Sequence, residues 1–215
     1  MTDKAKDILS FLDKYYHEAK CSLDFNNAYE CLVAVCLSAQ TSDASVNRIT
    51  PTLFSLAPNP KGLYELDLAI LEKTISSLGL YKNKSRNLHE LAKALVEKYH
   101  GEVPLDFDEL RTLPGVGIKT ANVVLCEIAK RPAIAVDTHV SRISKRLRFA
   151  KEDDSPETIE KKLEKIFPKE EWINLHHRII HFGRDICKAK NPECHRCELH
   201  KYCKYYKSLS MTIGK

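Results

Sequence analysis

The sequence of 215 residues has few of the patterns that mark β-structure, secretion or membrane insertion. Alternating β-branched runs and hairpin dipeptides such as Asn-Gly are nearly absent, whereas periodic segments rich in leucine are plentiful. There is no N-terminal apolar region of the signal-peptide type, and no apolar run approaches the roughly 20 residues of a membrane helix. We therefore expect an all-α protein that is neither secreted nor membrane-spanning and that works in the cytoplasm.

The positive charge of the chain is modest, at +5 from 34 Lys and Arg against 29 Asp and Glu, but part of it is concentrated near the C-terminus. Residues 187–207 hold six basic side chains and two acidic ones. Such a segment indicates a polyanionic partner, because phosphates neutralised by Lys and Arg release counterions. The alternative is a solvated tail, which charge alone does not exclude.

A glycine hairpin precedes one predicted helix and places a lysine near its start. Gly115 and Gly117 are expected to permit positive φ and to turn backbone amides outward, directly before a helix that begins at Ile118. Outward amides at a helix N-terminus bind anions. Lys119 lies on the first turn, where the helix dipole and burial would both disfavour its ammonium form and make it a nucleophile. The ordinary alternatives are a simple turn and a solvated lysine.

Helical periodicity and capping residues predict helices joined by short loops throughout the chain. Pro58 and Pro60 predict a loop, and residues 77–84 predict another, whose Leu80 could wedge between DNA bases or simply pack into the core. The run at 28–40 is apolar on nearly all sides and should lie at the centre of the core. Two further helices are predicted from their first residues, one capped by Asp137 and one opened by Ser155-Pro156. The helix that follows Asp137 is predicted to carry Arg142, Lys145, Arg146 and Arg148 on its outer face. The other predicted helices cover 3–20, 43–54, 67–77, 85–99, 106–112, 118–129 and 168–186.

Four of the eight cysteines form one C-terminal block with the spacing Cys187-x6-Cys194-x2-Cys197-x5-Cys203. Four thiolates on an irregular, basic segment need a metal to be ordered. Tetrahedral zinc and a [4Fe-4S] cluster both suit four thiolates, and the spacing leaves both open. The remaining cysteines indicate buried thiols of a reducing cytosol.

The segments LPGVGIKTAN, VDTHV and LSAQTSD, together with the cysteine spacing, resemble the endonuclease III family of helix-hairpin-helix DNA glycosylases and apurinic-site lyases. The resemblance covers almost the whole chain. It implies that Lys119 is the nucleophile and Asp137 the catalytic carboxylate. It also implies a [4Fe-4S] cluster held by Cys187, Cys194, Cys197 and Cys203.

The resemblance further implies contacts with double-stranded DNA that contains damaged bases or abasic sites. Gln40 would fill the gap left by a flipped nucleotide, and Leu80 would enter the opposite strand. Gly115 and Gly117 would present the hairpin backbone to a phosphate, and His139 would lie near the DNA backbone. One departure is Ile118, where relatives often carry a basic residue.

The resemblance implies the two-lobed fold of the helix-hairpin-helix DNA glycosylases. The protein is also expected to be a monomer. A six-helix module would span 22–132, with the helix-hairpin-helix at about 106–129, and a cluster module would combine 1–21 with 133–215. The substrate would bind in the cleft between them. Two other interpretations are an adenine-mismatch glycosylase, which has no equivalent of Lys119, and a zinc-stabilised module that only grips DNA.

Overall fold

The structure, a computed structural model, describes the backbone of residues 1–213 and the side chains of residues 1–209. In this part of the chain the regular structure is helical and contains no strand, which confirms the predicted fold class. No helix among the described residues is both long and apolar enough to cross a membrane. The α-helices are α1 (Asp3–Tyr16), α2 (Ala28–Leu37), α3 (Asp43–Leu56), α4 (Pro60–Glu65), α5 (Leu68–Ile75), α6 (Tyr81–Tyr99), α7 (Phe107–Thr112), α8 (Ile118–Ile128), α9 (Thr138–Arg146), α10 (Pro156–Ile166), α11 (Trp172–Asp185) and α12 (Lys204–Ile213).

Residues 21–131 form one compact unit, which contains α2 to α8. Helix α2 is its centre, because its sequence is apolar on almost every face and eight of its ten residues are buried. It packs against α3, α6 and α8. Asn27 caps α2 by accepting a hydrogen bond from the backbone N–H of Glu30 at 2.9 Å. This central, largely buried helix is the one that the apolar run predicted.

Residues 1–20 and 132–215 form a second compact unit, in which α11 packs against α1 and α9. Phe182 of α11 is buried and meets Phe11 of α1 edge to face, with 5.3 Å between ring centroids. The next residue, Gly183, lets α9 approach closely. A Cβ at this position would lie 2.8 Å from His139 Nδ1 and 3.0 Å from Ile143 Cδ1. No larger side chain fits there without displacing α9 side chains.

Two of the predicted loops are partly helical. Pro60 is the first residue of α4, where a missing N–H costs nothing, and Asn59 caps that helix through a 2.8 Å bond from Gly62 N–H. The loop predicted at 77–84 ends early, because α6 already begins at Tyr81. Lys84, the last residue of that predicted loop, lies in α6 and is buried. The long helix predicted at 168–186 begins with a short 3₁₀ turn before α11.

Candidate nucleic-acid interface and cysteine site

The hairpin between α7 and α8 depends on one glycine with positive φ. Gly115 has φ +78°, and a Cβ there would lie 3.2 Å from Asn87 Cβ, so both conformation and space favour glycine. Val116 is buried, and its N–H donates to Leu113 O at 3.1 Å, which anchors the turn. Gly117 has φ −92° and ψ 179°, an extended conformation open to any residue. The prediction of positive φ is therefore right for Gly115 and wrong for Gly117.

Helix α8 begins with backbone amides that no described side chain caps, because its N-cap residue is Gly117. The first N–H groups of such a helix are available to an anion, and the helix dipole favours one there. Ile118 and Lys119 are both exposed on this first turn, Ile118 by 41%. The burial predicted for Lys119 is therefore wrong. What remains of the sequence argument is the lysine's place at the positive end of α8.

Gln40 and Leu80 lie in two separate loops of the same unit and share an unusual backbone conformation. Gln40 follows the end of α2 with φ +54°, and Leu80 is the N-cap of α6 with φ +58°. Both side chains are exposed, Leu80 by 59%. Left-handed conformations of non-glycine residues are sparsely populated and concentrate at functional sites. The structure thus presents both side chains to solvent on constrained backbone.

Asp137 is the N-cap of α9, as the sequence predicted. Its Oδ1 accepts a hydrogen bond from the Val140 N–H at 2.8 Å, and its side chain is half-buried. This bond fixes the carboxylate at the start of α9. The capping role is confirmed, and the catalytic role stays a prediction.

His139 is half-buried on the first turn of α9 and is held by an arginine. Its Nδ1 lies 3.0 Å from Arg142 Nη2, which can only donate. Burial lowers the pKa of His139, and the positive charges of Arg142 and Arg184 lower it further against the opposing charge of Asp137.

The four C-terminal cysteines line one cavity, together with aromatic and basic side chains that include Arg146, His200 and Tyr205. Two 3₁₀ turns, Cys194–Arg196 and His200–Tyr202, shape the intervening chain. Backbone bonds hold Cys197 N–H to Cys194 O at 3.0 Å and Cys203 N–H to His200 O at 3.1 Å. All four thiols are free of disulfides. They face a shared space although they come from separate turns.

Two observations test which group these thiols fit. A tetrahedral Zn²⁺ with Zn–S of about 2.3 Å requires sulfurs roughly 3.8 Å apart. Among the described residues, the four sulfurs do not belong to any group of three or more ligand atoms that lie within 4.8 Å of one another. No three of these sulfurs are therefore as close together as a single tetrahedral zinc ion requires. In addition, the Cys187 sulfur accepts a hydrogen bond from Arg146 Nη1 at 3.2 Å, as a ligating thiolate would.

The prediction that Arg146 lies on the outer face of α9 is wrong, because this side chain is buried. Only 8% of this residue is exposed. Its guanidinium donates to Lys188 O at 2.8 Å and to Ala189 O at 3.2 Å, and it lies over the Tyr205 ring. Arg142 likewise donates to Cys187 O at 3.1 Å. The two arginines therefore bind the start of the cysteine segment to α9. Sequence reasoning missed this role because the carbonyls that they bind leave no signal in the residue types.

The family comparisons agree with this geometry. The profile described as HhH-GPD superfamily base excision DNA repair protein matches residues 33–169. Endonuclease III of Bacillus subtilis (strain 168) is 48% identical over 202 residues, which span 93% of this chain and 92% of that protein. Endonuclease III of Escherichia coli (strain K12) is 39% identical over 211 residues, which span 97% of this chain and all of that protein.

Solved structures show the same relationship. A trapped endonuclease III–DNA covalent intermediate superposes with a TM-score of 0.91 at 49% identity, covering 98% of this chain and 100% of that one. A thermostable thymine-DNA glycosylase, at 22% identity and a TM-score of 0.85, shares the fold.

The helical fold with its glycine hairpin is that of the helix-hairpin-helix base excision DNA repair proteins. Within that superfamily the chain belongs to the endonuclease III family, as its motifs predicted. It is a DNA glycosylase with abasic-site lyase activity.

Proposed function

We propose that this enzyme removes oxidised pyrimidines from double-stranded DNA and then cuts the strand through a Schiff base on Lys119. The observation that carries the proposal is the exposed Lys119 on the first turn of α8, beside a hairpin whose following amides have no side-chain cap. A phosphate bound at those amides would bring a sugar of the same strand to the lysine. Binding energy would thereby position the reacting atoms.

Excision requires the target base to leave the stack, which leaves a gap in the duplex. Gln40 would fill the gap and Leu80 would enter the opposite strand. Both are exposed at the tips of constrained turns, and an apolar side chain such as Leu80 can partly unstack a base step. His139, on the first turn of α9, would lie near the DNA backbone.

The chemistry assigned to Lys119 has two stages. Its free amine attacks C1′ of the damaged nucleotide, and the bond from C1′ to the base breaks, with the electron pair leaving on the base. Opening of the sugar then gives an imine, which makes the C2′ proton acidic. Loss of that proton breaks the C3′–O bond and cuts the strand, and water releases the lysine from the imine.

Asp137 would stabilise the positive charge that develops on the sugar and assist proton transfer. Its role as N-cap supports this assignment, because the Val140 N–H fixes the position of the carboxylate. Asparagine caps a helix about as well as aspartate. Asp137→Asn therefore removes the negative charge while it keeps the helix cap.

The four C-terminal cysteines would hold a [4Fe-4S] cluster, since they offer four thiol sulfurs around one cavity and no three of them are as close together as one zinc ion requires. When bound, the cluster would cross-link Cys187, Cys194, Cys197 and Cys203 and so order a basic segment for contact with DNA. The proposed excision and elimination steps transfer no electrons to or from the protein. Arg146 and Arg142 supply the hydrogen bonds that hold the first of these ligands in place.

The test is a glycosylase and nicking assay on duplexes that carry an oxidised pyrimidine, a mismatched adenine or an abasic site. The expected result is release of the oxidised pyrimidine with strand cleavage, and cleavage of the abasic duplex. Release of adenine without cleavage would favour the mismatch glycosylase. Binding without any turnover, by a colourless protein that contains zinc, would favour the structural module.

A further inference from the structure

Lys84 is a buried lysine that the proposed reaction does not use. It lies on the first turn of α6 and is only 8% exposed. Its Nζ donates a hydrogen bond to Thr41 Oγ1 at 2.6 Å, and burial lowers its pKa. A buried ammonium is costly unless it is bonded. The residue that accepts this bond, Thr41, directly follows Gln40 in the chain.

The acceptor of this bond belongs to the turn that holds Gln40. The Thr41 N–H donates to Ser38 O at 3.0 Å, and Thr41 Oγ1 donates to Ala39 O at 3.4 Å. Gln40 lies inside this turn with φ +54°, a conformation that persists only when the surrounding structure holds it. The side chain of Lys84 thus secures the turn from the α6 side.

The backbone of Lys84 contacts the other constrained residue. Its N–H donates to Leu80 O at 3.0 Å, which is the first intrahelical bond of α6. Leu80 has φ +58° and no side-chain cap among the described residues. Lys84 is therefore bonded through its backbone to the loop of Leu80 and through its side chain to the loop of Gln40.

We propose that Lys84 is a positioning residue that couples Gln40 to Leu80, so that the two side chains enter damaged DNA as one unit. The proposal rests on the function proposed above, in which these residues fill the gap and open the opposite strand. In this role Lys84 would act through Thr41 and would touch neither the sugar nor the base. Loss of its ammonium would let the Gln40 turn move independently of α6, and extrusion of the base would become slower.

The experiment is a double-mutant cycle on the complete protein. Lys84→Met keeps the length of the side chain but removes its donors, and Gln40→Ala removes the side chain that it positions. Extrusion is followed by the fluorescence of 2-aminopurine opposite the lesion, and chemistry by single-turnover excision of an oxidised pyrimidine. We expect Lys84→Met to slow both by roughly tenfold, because a bond from a charged donor is lost. In the Gln40→Ala background the same change should have less than about a twofold effect.

Controls separate the coupling from a general loss of structure. Lys98→Met removes an exposed lysine at the far end of the same helix and should leave both rates unchanged. Thr41→Val removes the acceptor and should reproduce the effect of Lys84→Met, including its dependence on Gln40. Equal slowing by Lys84→Met in both backgrounds overturns the coupling while the enzymatic function stands. A wild-type protein that neither excises nor cuts overturns the proposed function and the coupling together.

Discussion

Arg146→Met is expected to loosen the cysteine segment and to weaken its binding of the proposed [4Fe-4S] cluster. The buried guanidinium donates to the Cys187 sulfur and to the carbonyls of Lys188 and Ala189, at 2.8 to 3.2 Å. Each acceptor that loses a charged donor costs about 1 kcal/mol or more, and contact with the Tyr205 ring contributes about 1 kcal/mol. Because Lys188 and Ala189 are exposed, their carbonyls can accept hydrogen bonds from water instead. The expected total loss of stability is therefore about 2–4 kcal/mol.

The assay compares iron content, visible absorbance and the urea midpoint of wild type, Arg146→Met and Arg146→Lys. Lysine should restore only part of the loss, since an ammonium cannot reproduce the planar fork that reaches three acceptors. Arg148→Met, which changes an exposed arginine just after α9, should behave as wild type. Unchanged iron content and an unchanged midpoint in Arg146→Met would refute the reasoning.

Three further changes give direct tests. Gly183→Ala should destabilise the protein by about 1–2 kcal/mol, because overpacking costs more than the helix gains from alanine, whereas Gly79→Ala, with no atom within 4 Å of the added Cβ, should leave the urea midpoint unchanged. Asp137→Asn should bind abasic DNA like wild type yet lose most turnover, and unchanged turnover would leave only the capping role. Burial and neighbouring carboxylates raise the pKa of Glu160 to about 7. Because the folded state then holds the proton more tightly than the unfolded state, the free energy of unfolding should fall as pH rises from about 4.5 to 7. Urea titrations should show that Glu160→Gln flattens this pH dependence.

Much of the fold was predictable because local signals and packing agree. The apolar run of α2 requires burial on every face, and Asp67 and Asp106, at the starts of two predicted helices, are the N-caps of α5 and α7. Helix α6 was predicted four residues short. The polar residues at its start looked exposed, but Lys84 is buried through a bond to Thr41, 43 residues earlier in the chain. A contact between distant segments leaves no local periodicity.

Site residues were predictable from the sequence where a local backbone conformation requires or favours one residue type. Positive φ at Gly115 and the cap at Asp137 are such cases. The burial of Arg146 and the requirement for Gly183 were not, because both arise from contacts between segments that are separated in the chain. The exposure of Lys119 was missed for the same reason, since a position on a first turn does not determine which neighbours cover it.

The most direct test of the account is covalent trapping of the enzyme on abasic DNA with borohydride, which reduces an imine to a stable amine. Wild type and Lys98→Gln, which changes an exposed lysine of α6, should both give a protein–DNA complex that survives denaturation. Lys119→Gln should still bind the same duplex but give no trapped complex. Trapping of Lys119→Gln at the wild-type level would contradict the assignment of Lys119 as the nucleophile.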